Sequence, residues 1–222
     1  MTIIIRSSNS KCRDEKRRKH PLVNHYYSKN PSAESDPTYW DFTLRGKSFR
    51  FKTDNGVFSK KEVDFGSRLL VELFTYPEDA SGNVLDVGCG YGPIGLSIGH
   101  SYEDKTVEMV DVNSRAIQLA QENAIQNNIS NVRIYESDIF ANVENTSFAA
   151  ILTNPPIRAG KQVVHAILEK SYDHLSLNGE LWVVIQKKQG APSAMEKMEK
   201  VFGNVEIIGK KKGYYILVSK KN

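Results

Sequence analysis

The chain has 222 residues, 40% of them apolar and 25% charged, with a formal net charge of +4. That composition suits one packed α/β domain with a modest extension, and it excludes a disordered or collagen-like chain. Two cysteines, Cys12 and Cys89, cannot build a disulfide framework or a zinc site by spacing, and no apolar run approaches a membrane span, so a cytoplasmic location away from membranes is expected.

Residues 1 to about 36 are rich in Ser, Asn, Lys and Arg and read as a flexible basic arm. Ile3-Ile4-Ile5 stands before the basic run, the reverse of a secretory signal. Residues 1 to about 22 lack a periodic apolar pattern and are expected to be dispensable. Leu22 or Val23 can be the encoded reading of an alternative start codon. Thr38 to Thr53 is predicted to be a hairpin about an Arg45-Gly46-Lys47 turn, with Phe49 and Phe51 alternating after it. Asp64 to Phe74 carries helical spacing, with Phe65, Leu69, Leu70 and Leu73 on one side. Pro77 to Asn83 breaks the pattern. Residues 37–82 are therefore expected to form a small N-terminal subdomain of hairpin plus helix.

From Val84 onward strands and helices alternate. Predicted strands are Val84–Val87, Val107–Val112, Val132–Tyr135, Phe148–Thr153 and Leu181–Ile185. Predicted helices start at Pro93, at Ser114 as the cap, at Lys161 and at Ala194. Val205–Ile208 and Tyr214–Val218 are expected to close the chain as an antiparallel pair. The fold class is α/β and Rossmann-like: a mostly parallel sheet with helices on both faces.

A glycine loop, Asp86-Val87-Gly88-Cys89-Gly90-Tyr91-Gly92, follows the first of these strands. Glycines let the backbone turn sharply and approach a ligand closely. Gly90 to Gly95 also matches the dinucleotide pattern G-x-G-x-x-G, with Asp111 lying 21 residues past Gly90, so an NAD-binding oxidoreductase is an alternative. Asp86 argues against it. A carboxylate at the strand end repels a pyrophosphate and suits a cationic ligand such as S-adenosylmethionine. Asp111, with Val112 after it, ends the second strand and can accept both hydroxyls of a ribose or cap the next helix. Asp138 ends the third strand and can accept from an adenine amino group while Ile139 packs on the ring, or can serve as a turn residue.

Asn154-Pro155-Pro156-Ile157 follows the apolar run Ala149-Ala150-Ile151-Leu152. Two prolines remove two N–H donors and fix two φ angles. The carbonyls of Asn154 and Pro155 then stand as stiff acceptors beside the Asn154 amide, a cradle for a planar –NH2 group. The other reading is a strand-ending turn.

The order Asp86-x-Gly88-x-Gly90-x-Gly92, Asp111, Ser137-Asp138, Asn154-Pro155-Pro156 resembles the class I S-adenosylmethionine-dependent methyltransferases that act on amino groups. Gly56-Val57-Phe58-Ser59 and Asp64-Phe65-Gly66-Ser67-Arg68-Leu69-Leu70 look closest to the small-subunit ribosomal RNA guanine-N2 methyltransferases, the RsmC-like family. The resemblance covers about His25 to the C-terminus. It implies S-adenosylmethionine as cofactor, a methyltransferase domain over 83–222, and Phe58, Ser59 and Asp64 near the cofactor. It also implies methyl transfer to guanine N2 of ribosomal RNA or a ribosomal subunit, with adenine N6 and protein glutamine as alternative acceptors. Ile157 departs from relatives with an aromatic residue there, and longer family members carry a second half that this chain has no room for.

Three lysine- and arginine-rich clusters, Lys11 to Lys19, Lys187-Lys188 and Lys210-Lys211-Lys212, suit a phosphate backbone or a solvated surface. The five histidines show no paired ligand spacing, and no metal is expected.

Overall fold

The structure is a computed structural model that describes residues 33–222. The basic cluster Lys11 to Lys19 and the dispensable segment expected at residues 1–22 lie outside the described residues, as does most of the expected arm.

Nine strands and five helices follow one another along the described chain. β1 (Thr38–Leu44) and β2 (Lys47–Thr53) form a separate antiparallel hairpin, with Arg45 and Gly46 at positive φ in the turn. Leu44, Phe49 and Phe51 on this hairpin are buried, and Phe49 and Phe51 stack at 5.6 Å. Its second strand is tied by side chains to the segment around residue 125, with Asn123 and Asn127 bonding the backbone of Lys52 and Arg50. α1 (Phe65–Leu73) follows, capped by Asp64, whose carboxylate accepts from Gly66 N–H at 2.9 Å and Ser67 N–H at 3.2 Å.

The main sheet has the order β5-β4-β3-β6-β7-β9-β8. β3 (Asn83–Val87), β4 (Val107–Asp111), β5 (Val132–Glu136), β6 (Phe148–Thr153) and β7 (Leu175–Gln186) are parallel. β9 (Tyr214–Lys220) runs antiparallel to β7 and to β8 (Glu206–Lys211). This is the Rossmann-like sheet with an antiparallel C-terminal pair expected from the sequence. β6 is buried at every position, as a central parallel strand must be.

Two apolar layers cover the sheet. Side chains of α1, α2 (Pro93–Ser101) and α3 (Ser114–Gln126) pack on one face with the hairpin aromatics. Side chains of α4 (Lys161–His174) and α5 (Ala191–Phe202) pack on the other. The strand order reverses at β3, with β4 on one side and β6 on the other, so a crevice opens beyond their carboxyl ends.

Three local expectations are corrected. α3 is capped by Asn113 rather than Ser114: the Asn113 side chain accepts from Arg115 N–H and Ala116 N–H. β7 begins six residues before the predicted Leu181: Leu175 already pairs with Phe148, and the register shifts before Glu180 pairs with Ala150, with Asn178 at positive φ between them. α5 begins at Ala191, with Pro192 in the first turn, where its missing N–H is harmless.

Candidate active site

A cavity of about 280 Å³ lies at the carboxyl ends of β3, β4, β5 and β6. The glycine loop forms its floor. Gly88 and Gly90 have φ of 76° and 58°, and a Cβ at either would meet nothing within 4 Å, so the bare backbone borders open space. Asp111 stands beside the loop. One carboxylate oxygen accepts from Gly90 N–H and the other from Asn113 N–H, both at 2.9 Å. Each oxygen keeps a lone pair for a ligand hydroxyl, so the residue ties the loop and faces the cavity together. Burial raises the Asp111 carboxyl above its ordinary range, against the pull of these two amides.

Val112, Asp138 and Ile139 continue the wall. Asp138 is exposed, with its carboxylate available to a ligand. Ile139 sits at φ 55°, a left-handed position that costs a β-branched residue on the order of 1–3 kcal/mol. Its strain is held by a local knot. Ser137 Oγ donates to the Ile139 carbonyl at 3.1 Å and accepts from Asn142 N–H at 3.0 Å. Ala116 of α3 and Ile94 of α2 add apolar surface near the loop. Acceptors, a glycine floor and a strained apolar side chain fit a nucleoside with a ribose and a flat base.

Asp86 does not line this cavity, which corrects the expectation that it meets the cofactor directly. It shares a strand face with Val84 and points into the helix layer, 1% exposed. One oxygen accepts from Gly95 N–H at 2.9 Å, and the other has no hydrogen-bond partner. Burial pushes the carboxyl up to about 7, opposed by the Gly95 amide and aided by the charge of Asp111. Asp86 anchors α2 beneath the loop. Gly92 is also outside the cavity. It caps α2 at φ 102°, and a Cβ there would reach Leu96 Cδ1 at 2.9 Å. Cys89 lines the cavity, but burial pushes its thiol well up, so it is not poised as a nucleophile.

At the other end of the cavity stand Asn154, Pro155 and Pro156. The Asn154 Nδ2 donates to Ser67 Oγ at 2.9 Å and to Asp64 Oδ2 at 3.1 Å. A carboxylate accepts and does not donate, so the nitrogen must face Asp64. Asn154 Oδ1 is thereby turned away, and no described residue donates to it. Asp64 is itself held from the far end of the sequence by the Tyr214 hydroxyl, at 3.2 Å. Gly66 makes room for that reach: a Cβ there would stand 2.7 Å from the Tyr214 ring. Ser67 and Tyr214 were not singled out from the sequence as site residues. The seven-residue run containing Ser67 was noted only as a whole.

Phe58 and Ser59 also line the cavity. Ser59 has φ 55° and donates to the Glu62 carbonyl at 2.7 Å. Ile157 is corrected: it opens a single 3-10 turn (Ile157–Ala159), packs against the α4 side of the sheet, and does not line the cavity. His165 is also remote, its Nε2 on Ser193 Oγ at 2.9 Å. Among the described residues, no three His, Cys, Asp or Glu side chains cluster as metal ligands, and no helix is long and apolar enough to cross a membrane.

The methyltransferase small domain family model matches residues 48–218. An uncharacterized Bacillus subtilis protein, YbxB, is 62% identical over 201 residues, covering 90% of this chain and all of YbxB. The ribosomal RNA small subunit methyltransferase C of Vibrio parahaemolyticus is 34% identical over 81% of this chain and 52% of its own. The Thermus thermophilus 16S rRNA N2 G1207 methyltransferase, solved with AdoMet and guanosine, superposes with a TM-score of 0.75 at 26% identity, over 86% of this chain and 52% of that one. The chain thus spans about half the length of these two named methyltransferases. Matched over most of its described length, the chain belongs to the methyltransferase small domain family.

Proposed function

We propose that this protein transfers a methyl group from S-adenosylmethionine to an exocyclic amine, guanine N2 of small-subunit ribosomal RNA. The observation that carries the reading is the fixed orientation of Asn154. Its nitrogen is engaged by Ser67 and Asp64, which leaves Oδ1 as an acceptor at the cavity. An acceptor of fixed direction can bind the N–H of an –NH2 group and gives a phosphate nothing to accept from.

The amine of a purine is a weak nucleophile because its lone pair is delocalised. Bound S-adenosylmethionine supplies an activated methyl group on a positively charged sulfur. Asn154 Oδ1 would accept from the amine, favour its pyramidal form and stabilise positive charge gathering on nitrogen during attack. Asp64 contributes negative charge one hydrogen bond further back, so the cradle is suited to a cationic transition state. Glycine loop, Asp111, Asp138 and Ile139 hold the nucleoside of the cofactor, and positioning supplies the rest of the rate.

The RNA target is supported by the relatives matched above and by a set of exposed lysines beside the site. The test is transfer of labelled methyl from S-adenosylmethionine to small ribosomal subunits, naked 16S RNA and a release factor, with the product nucleoside identified after digestion. N2-methylguanosine is expected. Label on a protein glutamine, or as N6-methyladenosine, would overturn the choice of acceptor and leave the amine chemistry standing.

A further inference from the structure

Resting on the RNA reading above, we propose that a lysine-bearing rim at the carboxyl edge of the sheet carries the sugar–phosphate backbone on either side of the base held at Asn154. The rim is built from the turn after β7 and from the β8–β9 turn.

Topology brings these parts together. β6 and β7 are parallel neighbours, with Thr153 opposite Val183. Asn154 leaves the end of β6, and Lys187-Lys188 leave the end of β7, so both lie on the same edge. β9 starts on that edge too, with Tyr214 opposite Gln186 and Lys211 opposite Tyr214. The Lys187 N–H bonds the Gly213 carbonyl at 2.8 Å, which joins the two turns. β9 lies two strand spacings from β6, about 10 Å. From the β8–β9 turn, Tyr214 reaches Asp64, and Asp64 accepts from Asn154. The rim is thus two hydrogen bonds from the acceptor site.

Its charges are available. Lys187, Lys188, Lys211 and Lys212 are exposed, and among the described residues none has a carboxylate within ion-pairing distance. Lysines elsewhere are spent differently: Lys52 pairs with Glu122, Lys60 with Asp36 and Lys197 with Glu169. The Lys212 ammonium stands 4.8 Å from the centre of the Phe65 ring, and the Arg68 guanidinium 5.2 Å from the same ring. Phe65 opens α1, next to Asp64, so these two cations flank the acceptor end of the cavity.

The chemistry selects the partner. A ligand with a planar amine at Asn154 and regularly spaced anions along the adjoining edge is a nucleic acid strand. Point charges without directional forks bind phosphates and leave base reading to the cavity. Counterion release from such contacts makes affinity fall with salt, by about 0.7 per phosphate in a log–log slope for a single strand.

The test compares the full chain with two double variants on a 16S ribosomal RNA transcript, by filter binding across about 50 to 200 mM salt. Lys187→Gln with Lys212→Gln should weaken RNA binding about tenfold at low salt and make the slope shallower by about 1.4. Lys170→Gln with Lys200→Gln, late in α4 and α5 at the opposite edge, should match the wild type. Calorimetric affinity for S-adenosylmethionine should be unchanged in both, which certifies the fold. A wild type that binds and methylates RNA beside a rim variant of unchanged affinity and slope would overturn the rim alone. A wild type with no affinity for RNA would overturn the rim and the RNA reading together.

Discussion

The two ends of the cavity are built by different kinds of contact. At the glycine-loop end, Asp111 in the wall and Asp86 beneath the loop are held by main-chain amides: Gly90 N–H and Asn113 N–H on Asp111, Gly95 N–H on Asp86. At the acceptor end Asn154 is held by side chains 87 and 90 residues away, and Asp64 by a hydroxyl 150 residues away. Substitution by anything but proline leaves a backbone amide in place, whereas side-chain ties are removed by a single change. The cofactor end should therefore respond to changes of charge, and the acceptor end to loss of single polar atoms.

The largest expected effect probes, through pH, the support beneath the glycine loop. An unfolded aspartate titrates near about 3.9, and burial holds Asp86 up to about 7. The folded value is the higher, so the folded state keeps the proton longer. Stability is full below about pH 4 and is lost as pH rises through about 7, by on the order of 4 kcal/mol across the window. Asp86→Asn retains an acceptor for Gly95 N–H and removes the titration. Urea unfolding at about pH 4 and 8 should show the wild type losing stability relative to the variant. Parallel pH profiles would mean that Asp86 is charged and solvated, and the contrast between the two ends would weaken.

Asn154→Ala comes next. Methyl transfer should fall about a hundredfold or more, while calorimetric affinity for S-adenosylmethionine stays close to wild type, because the acceptor acts mainly on the transition state. Turnover within a few-fold of wild type would reduce Asn154-Pro155-Pro156 to a strand-ending turn.

Asp111→Ala sharpens the comparison from the opposite side. Loss of ribose acceptors should weaken S-adenosylmethionine binding by about 1–3 kcal/mol. Unchanged affinity in the calorimeter would remove Asp111 from the site and leave it as a brace for the loop.

The smallest effect is the most diagnostic. Ser67→Ala removes one of two ties on the Asn154 amide and should lower turnover about fivefold, with cofactor affinity unchanged. Combined with Asn154→Ala it should add nothing further, since the tie then has nothing to hold. Additive losses would show that Ser67 acts independently of Asn154.

The same contrast explains what was legible in the sequence. The alternating strands and helices, the antiparallel C-terminal pair, the helix starting at Pro93 and the acids at the strand ends follow from strand and glycine spacing within short windows, whereas the strand order does not. Asp138, Ile139 and Asp111 were each marked by the end of a strand. Asp86 was placed correctly on its strand and misdirected, although its shared face with Val84 pointed into the helix layer. Asn113 lost the cap to Ser114 in the reading because adjacent polar residues carry equal cap preference, and only the main-chain angle separates them. Tyr214 leaves no local signal, and Ser67 only its place in the run Asp64 to Leu70. Their role comes from α1 and β9 meeting over Gly66, a contact that no spacing along the chain encodes. Ile157 could not be placed either, because the 3-10 turn that withdraws it depends on packing against α4.

Tyr214 also gives the site a timetable. A ribosome lays down the chain from its N-terminus, and contacts between distant residues form last. The glycine loop and its acids emerge within one stretch and can close while synthesis continues. Asp64 leaves the ribosome early and waits for a hydroxyl delivered 150 residues later, by the last strand of the sheet. A nascent chain halted before residue 214 would hold the floor of the cavity and lack the hydroxyl that ties Asp64 at its other end.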